Sequence, residues 1–308
     1  MADNDPGWDL YRSFLAVLRE GSLSAAARSL GLTQPTVGRH VEALEQALGL
    51  ALFTRSLHGL APTENALALR ADAEAMEMAA AALRRSASGQ AGDWRGTVRL
   101  SASEVVGAEV LPPMLARVQE RHPGLNIELV LSNRVEDLLR RDADLAVRMT
   151  RPTQGPLLAR HLGEVELGLH AHPDYLSRHP APASLADASR HRIIGYDRET
   201  AFIRDARARG FPLGRNSFSL RSDSDLAQMA ALRAGCGLGI CQLPLARRYG
   251  LTRVLARELR FDLPVWIVMH GDLRSQPRCR IVFDALAEGL TEYLGVPARP
   301  AAKPRART

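Results

Sequence analysis

Between residues 22 and 49 the chain reads SLSAAARSLGLTQPTVGRHVEALEQALG, and its apolar positions recur at helical spacing in two runs. Ser22 is a good N-cap, and Ala25, Ala26 and Leu30 give the first run a small-residue inner face. Gly31 ends that run and Leu32 can plug the turn. Thr33 caps the second run, where Pro35 is tolerated because first-turn amides have no intrahelical acceptor. Val37, Val41, Leu44 and Leu48 then form one stripe. At about 100° per residue, Pro35, Arg39, Glu42, Ala43 and Gln46 fall on the opposite face. The pattern predicts two helices with a short turn between them. Residues 8–20 predict a third, with Leu10, Phe14, Val17 and Leu18 turned inward. Residues 50–61 have the apolar, basic and glycine-bearing character of a β-wing anchored by Leu52 and Phe53.

The pattern changes after Pro62-Thr63. Residues 64–88 contain neither Gly nor Pro, and Ala66, Leu69, Ala73, Met76, Ala80, Leu83 and Ala87 follow at alternating three- and four-residue steps. That is a heptad seam, suited to a close helix partner, with an Ala-rich surface helix as the alternative. SGQAGDWRG, at 88–96, reads as a hinge. From Thr97 the period shortens. TVRLSA, LNIELVL, ADLAVRM, EVELGLHA, FSLRS, GLGICQL and PVWIVMH predict strands, and helical runs at 115–121, 135–140, 224–234 and 278–293 separate most of them. Alternating strands and helices imply parallel-type sheets wrapped by helices, in two subdomains.

A helix that buries one stripe and offers polar groups near its N-terminus suits the major groove of DNA. The stretch SLSAAARSLGLTQPTVGRHVEALEQALGLALFTR resembles the winged helix-turn-helix of LysR-type transcriptional regulators. The match includes the paired alanines, the Gln-Pro opening, Leu44-Glu45, and Gly49 followed by Leu52, Phe53 and Arg55. Further matching pieces are LPPMLARVQERHPGLNIEL, DLAVRM, AHPDYL, ALRAGCGLGICQLP and VWIVMHGDLRSQPRCRIVFDAL. The resemblance implies an α/β protein. Its parts would be a DNA-binding domain at 1–61, a linker and dimerisation helix at 62–90, and a two-lobed effector-binding domain at 96–298 like the type 2 periplasmic solute-binding proteins. Lobe one would hold 96–165 and 266–298, and lobe two 166–265, with crossings near 161–165 and 262–265. The implied partners are promoter DNA, a small-molecule effector, a second copy in a dimer or dimer of dimers, and RNA polymerase as a candidate. Ser22, Thr33, Gln34, Pro35, Thr36, Arg39, His40, Arg55 and His58 are the candidate DNA contacts. The family usually carries Ser in place of Gly38 and Gly in place of Ala66. Gly38 costs roughly 1 kcal/mol relative to Ala in a helix and removes a hydroxyl.

Composition changes this picture little. The 308 residues carry a formal charge of +6, yet residues 1–95 hold 9 Arg against 11 carboxylates, while the ten residues 299–308 contribute +4. Overall basicity is therefore no argument for DNA binding, and the chemistry of one helix face must carry it. The Pro-, Ala- and Arg-rich tail at 299–308 reads as disordered. The start, MADNDPGW, has no apolar core of a signal peptide, and no apolar run is long enough to span a bilayer, so a soluble cytoplasmic protein is expected. Cys236, Cys241 and Cys279 lack metal or redox-motif spacing and read as free buried thiols.

In two-lobed α/β folds a ligand binds where strand ends and helix N-termini converge. By position in the family, Ser101, Ser103, Ser132, Arg148, Thr150 and Ser222 are the candidate pocket residues. Hydroxyls and helix amides there could hold a carboxylate or phosphate. Glu104 would repel such an anion, unless it caps its own helix. No GxSxG, HExxH or GxxxxGK[ST] occurs. GCGLG at 235–239 opens a strand instead of a helix, so it reads as a tight turn. His170-x-His172 lacks a third ligand. No cofactor, metal or catalytic constellation is expected. A solute-binding protein or an enzyme on the same two-lobed fold remains the alternative to a ligand-responsive regulator.

Overall fold

A computed structural model describes residues 6–56, 59–87, 94–133, 143–152, 157–208 and 214–296. His58, the helix expected at 135–140, most of the hinge and the basic tail lie outside the described residues. Two compact units divide the chain, one ending at Ala87 and the other beginning beyond it.

The first unit contains α1 (Trp8–Glu20), α2 (Leu23–Leu30), α3 (Gln34–Leu48), β1 (Phe53–Ser56), β2 (Gly59–Pro62) and α4 (Glu64–Ala87). Local sequence explains the boundaries. Ser22 Oγ accepts from the Ala25 amide at 3.2 Å, Thr33 Oγ1 accepts from the Thr36 amide at 3.4 Å, and Gly21, Gly31 and Gly49 close the three helices in the left-handed region. The core takes Phe14, Leu15 and Val17 from α1, Ala26 and Ala27 from α2, and Val37, Val41 and Leu44 from α3. Burying each large aliphatic side chain contributes about 1.5–3 kcal/mol. Two expectations need correction. Ala25 is only half-buried and Ala27 takes its inner position. Leu32 is exposed, so it does not plug the turn; Leu23 and Leu30 pack there instead.

The seam on α4 divides in two. Ala66 and Ala73 are buried in one cluster with Phe14, Leu15, Leu44 and Leu52, with Leu69 against it. Their small side chains let α4 approach α1, and Arg19 of α1 donates to Glu77 at 2.6 Å. The first half of the stripe is thus core of its own unit, while Met76 and Leu83 further along are 41% and 68% exposed.

The second unit contains β3 (Gly96–Ala102), α5 (Pro112–Arg121), β4 (Leu125–Leu131), β5 (Leu145–Arg148), β6 (Leu157–Ala171), α6 (Pro173–Leu176), α7 (Leu185–Ala188), β7 (Ile194–Gly195), α8 (Ala201–Ala208), β8 (Leu220–Arg221), α9 (Asp225–Arg233), β9 (Gly239–Gln242), α10 (Leu243–Arg248), β10 (Thr252–Val254), β11 (Phe261–His270) and α11 (Pro277–Tyr293). The parallel expectation holds for β4-β3-β5 and for the short pair β7-β8. A parallel bridge also joins Ile193 to Leu238, but in the rest of the large sheet the expectation is wrong. β11 runs antiparallel to both β5 and β6, and β9 and β10 join β6 antiparallel. One seven-stranded sheet results, ordered β10-β6-β11-β5-β3-β4 with β9 also on β6. Hydrophobic alternation identifies a strand but not its direction, which follows from how the chain returns.

β6 and β11 pair along most of their length, and residues 161–165 face 263–266 within that pair. The register shifts between Val265 and Trp266, opposite Gly163, whose φ of 137° excludes side-chain-bearing residues at little cost. The larger core cluster also spans the crossing: Val98, Leu100 and Phe283 belong to it, and so do Met229, Leu232 and Leu245.

Candidate functional site

In the first unit, local bonding sorts the candidate DNA contacts. Ser22 and Thr33 spend their hydroxyls on caps, and Thr33 Oγ1 lies 2.8 Å from Thr36 Oγ1. Gln34 is exposed, with its Oε1 accepting from Ser24 at 3.3 Å, and Pro35 is exposed beside it. Arg39 is exposed at mid-helix and finds no partner among the described residues. His40 is drawn inward: its Nδ1 lies 2.8 Å from buried Ser13 Oγ, which ties the ring to α1. Arg55 is exposed on β1 opposite Leu60. The sequence reading missed Glu45, whose Oε1 accepts from the Leu52 amide at 2.6 Å and the Phe53 amide at 3.2 Å. This carboxylate buckles the wing onto the end of α3. The free arginine on the exposed face can pair with guanine O6 and N7 or with phosphate.

The second unit encloses a cavity of about 270 Å³. Val105, Met149, Leu167, Ile194, Phe202, Phe218, Met229, Ile240 and Leu263 supply apolar walls. Four of the six candidate pocket residues, Ser103, Ser132, Arg148 and Thr150, line it. The other two stand one step behind. Ser101 is buried and accepts from Arg148 Nη2 at 2.7 Å, while Arg148 Nη1 donates to the Ser132 carbonyl at 3.2 Å. Ser222 accepts from the Ser224 amide at 3.2 Å, so it shapes the approach to α9. Ser101 and Ser222 thus stand behind the cavity lining, next to residues that form it.

The lining also includes Asn133, Tyr196, Asp225, Gln228 and Gln242, which sequence reasoning missed. Tyr196 follows β7, whose two residues give no periodic signal. Glu104 neither repels from an open site nor caps its own helix. Its Oε2 accepts from Ser224 Oγ at 3.2 Å and from the Asp225 amide at 3.0 Å, so it caps α9 from 121 positions away. Asn133 accepts from the Glu104 amide and donates to Asp225 at 2.9 Å, and Tyr196 donates to Asp225 at 2.6 Å. Burial, followed by the neighbouring Glu104 charge, pushes the Asp225 carboxyl above its ordinary range, and the bonds from Tyr196 and Asn133 pull back only part of this. Burial and Asp225 together raise the Tyr196 phenol, which stays protonated.

The remaining polar candidates have structural roles. His170 is buried with Nδ1 at 2.9 Å from the Gly168 carbonyl, and burial lowers its pKa. His172 caps α6 through the Asp174 amide. Gly237 lies where a Cβ would fall 2.3 Å from the Arg192 carbonyl, so GCGLG serves a close backbone approach. Cys241 is buried, and desolvation pushes its thiol up to about 12.

A DNA-reading unit joined to a ligand-sized cavity in a two-lobed α/β unit defines a ligand-responsive transcription factor. Residues 8–67 match the model for the bacterial regulatory helix-turn-helix protein, lysR family, and residues 91–291 match the LysR substrate binding domain. The chain belongs to the LysR family of transcriptional regulators. The HTH-type transcriptional regulator CrgA of Neisseria meningitidis serogroup C is 29% identical over 292 residues, covering 91% of this chain and 96% of CrgA. The HTH-type transcriptional activator TtdR of Escherichia coli is 27% identical over 307 residues, covering 94% and 96%. Among solved structures, CrgA from Neisseria meningitidis matches with a TM-score of 0.57 at 24% identity, over 92% of this chain and 98% of that one. Full-length CbnR complexed with its target DNA matches with a TM-score of 0.64 at 18% identity, over 92% and 99%. These structural likenesses concern the fold.

Proposed function

We propose that the chain binds promoter DNA as a homodimer through α3 and the β1-β2 wing, and that a small, mainly apolar effector in the cavity of the second unit modulates this binding. The observation that carries the proposal is the cavity itself: apolar walls with a few convergent polar groups, Ser103, Thr150, Gln228 and Arg148 among them. In the first unit Arg39 reads a base or phosphate, Gln34, Pro35 and Thr36 flank it at the groove, and Arg55 reaches the backbone from the wing. Ser22, Thr33 and His40 position these groups, and the second half of α4 pairs the two copies. No helix among the described residues is long and apolar enough to cross a membrane, and we place the protein in the cytoplasm with RNA polymerase as a further partner. The family consists of regulators, and the cavity residues act as binding groups in this reading rather than catalysts.

The test is a fluorescence-anisotropy titration of the full chain with a duplex from its own promoter region, with and without a metabolite library. Arg39→Ala should weaken promoter binding by about 1–3 kcal/mol, and more than it weakens binding to random duplex. Ile240→Phe, which fills the cavity, should abolish any library response and leave ligand-free DNA affinity unchanged. Equal losses on promoter and random DNA would demote Arg39 to phosphate positioning, and a library response that survives Ile240→Phe would move the effector site elsewhere.

A further inference from the structure

Among the described residues lining the cavity of the second unit, the charged ones are Arg148 and Asp225. A third charge, Glu104, lies directly behind Asp225. Both carboxylates are committed to the fold. Glu104 Oε2 accepts from Ser224 Oγ at 3.2 Å and from the Asp225 amide at 3.0 Å, at the start of the nine-residue α9. A helix N-terminus beside a cavity is a ready seat for an anion, because free amides and the helix dipole both favour negative charge there. Here the chain's own carboxylate occupies that seat. The Asp225 side chain is equally tied, accepting from Tyr196 at 2.6 Å and from Asn133 at 2.9 Å. Neither carboxylate can swing away from an incoming anion without releasing these bonds.

Arg148 does not reverse this balance. Its Nη2 donates to Ser101 Oγ at 2.7 Å and its Nη1 to the Ser132 carbonyl at 3.2 Å, so both arms of the guanidinium are spent on the wall. Its buried charge still penalises a cation brought against it. The hydrogen-bonding capacity that remains is neutral. Among the described residues the hydroxyls of Ser103 and Thr150 have no partner. Gln228 uses Nε2 on the Ser222 carbonyl and leaves Oε1, while Gln242 uses Oε1 on Tyr293 and leaves Nε2. One amide therefore offers an acceptor, the other a donor, and the hydroxyls either.

We propose that the effector is an uncharged molecule, an apolar body bearing an amide, alcohol or ester group, and that Glu104 and Asp225 exclude carboxylates and phosphates. This rests on the reading of the cavity as the effector site. A charged group entering it loses its hydration and finds the opposite charges already spent on the fold. A neutral amide exchanges water for Gln228 and Gln242 at no such cost. The volume suits such a molecule. An apolar cavity of about 150 Å³ takes up benzene, so one of about 270 Å³ admits a ring with a polar arm, against Phe202, Phe218 and Ile240.

The test is an NMR titration of the full chain, at neutral pH, with three probes of one shape: hydrocinnamamide, hydrocinnamate and phenylpropylammonium. The amide should bind about tenfold more tightly than either ion, or better, and Ile240→Phe should abolish its binding. Glu104→Gln with Asp225→Asn keeps an acceptor oxygen at each position and removes both charges. In that variant hydrocinnamate should bind as tightly as the amide, whose own affinity should not change. The thermal midpoint reports whether the variant folds, and the wild-type ranking decides the matter if it does not. Hydrocinnamate binding the wild type as tightly as the amide, with that binding lost in Ile240→Phe, overturns the proposal and leaves the effector site standing. Hydrocinnamate still excluded from a folded double variant overturns the role given to the two carboxylates. Binding that survives Ile240→Phe, or no binding by any probe, removes the effector site itself and the proposal with it.

Discussion

Glu45 offers a prediction whose size can be worked from the geometry. One of its oxygens, Oε1, accepts two backbone amides, Leu52 at 2.6 Å and Phe53 at 3.2 Å. The side chain of Leu52 is fully buried, so its amide cannot turn freely toward water. Glu45→Ala removes the acceptor for both. A bond to a charged acceptor contributes about 1.5–3 kcal/mol, and a stranded buried amide costs about 1–3 kcal/mol. Glu45 is half-buried and water can reach part of the gap, so the combined loss should be about 2–3 kcal/mol. The direct assay is hydrogen exchange at the Leu52 and Phe53 amides, which should quicken roughly 30- to 150-fold. In calorimetry a unit of this size should lose about 4–8 °C of midpoint per kcal/mol. Glu45→Gln keeps a carbonyl acceptor and should cost about 1 kcal/mol. Promoter affinity should fall with the alanine variant, because the wing is no longer fixed against α3. An alanine variant within about 0.5 kcal/mol of wild type, or a glutamine variant as damaging as alanine, would refute the reasoning.

Two other predictions concern charge and assembly. Asp225 has a raised pKa in the folded chain, so its contribution is most favourable below the ordinary aspartate range near about 3.9 and is lost as pH rises through the folded value; Asp225→Asn should stabilise the protein at neutral pH, with the gain in thermal midpoint shrinking to nothing in acid, and a pH-independent difference would contradict this. Met76→Asp, at an exposed position, should leave stability within about 0.5 kcal/mol while sedimentation shows loss of the α4 dimer, whereas Ala73→Asp, at a site 3% exposed, should unfold the first unit; an intact dimer in Met76→Asp would make the outer half of α4 an ordinary solvent face.

The first three helices were legible because their determinants are local. Ser22, Thr33, Gly31 and Gly49 act within one turn of where they stand, and a 3.6-residue period reports a buried face directly. Strand identities from β3 to β11 were largely legible for the same reason, but β7 and β10 are too short to carry a period. Direction and partner were not legible, because the pairing of Trp266 with Arg148 depends on where the chain returns. The seam of α4 misled in its first half: Ala66 and Ala73 suit a helix partner of any origin, and α1 of the same unit is already present. At the cavity, Ser103, Ser132, Arg148 and Thr150 could be placed by resemblance, while Glu104, Asn133, Tyr196 and Asp225 meet only through distant pairings. His40 was a candidate contact by resemblance alone, and its partner Ser13 stands 27 positions away on α1, beyond the reach of local pattern.

The position of β11 has a consequence for how the protein is made. β11 lies between β5 and β6, and its partner residues Arg148 and Trp266 are far apart in the chain. At bacterial elongation rates of about 5–20 residues per second, a ribosome needs roughly 6–24 s to travel from one to the other. Throughout that interval β5, buried on both faces in the finished molecule, has an open edge, and the seat of α11 is bare. Newly made chains therefore spend seconds with an apolar, unpaired sheet edge exposed, long enough for trigger-type chaperones to engage and for neighbouring nascent chains on a polysome to mispair. Synonymous recoding that slows translation between 149 and 260 should lower the soluble yield, although the amino-acid sequence and the finished fold are the same.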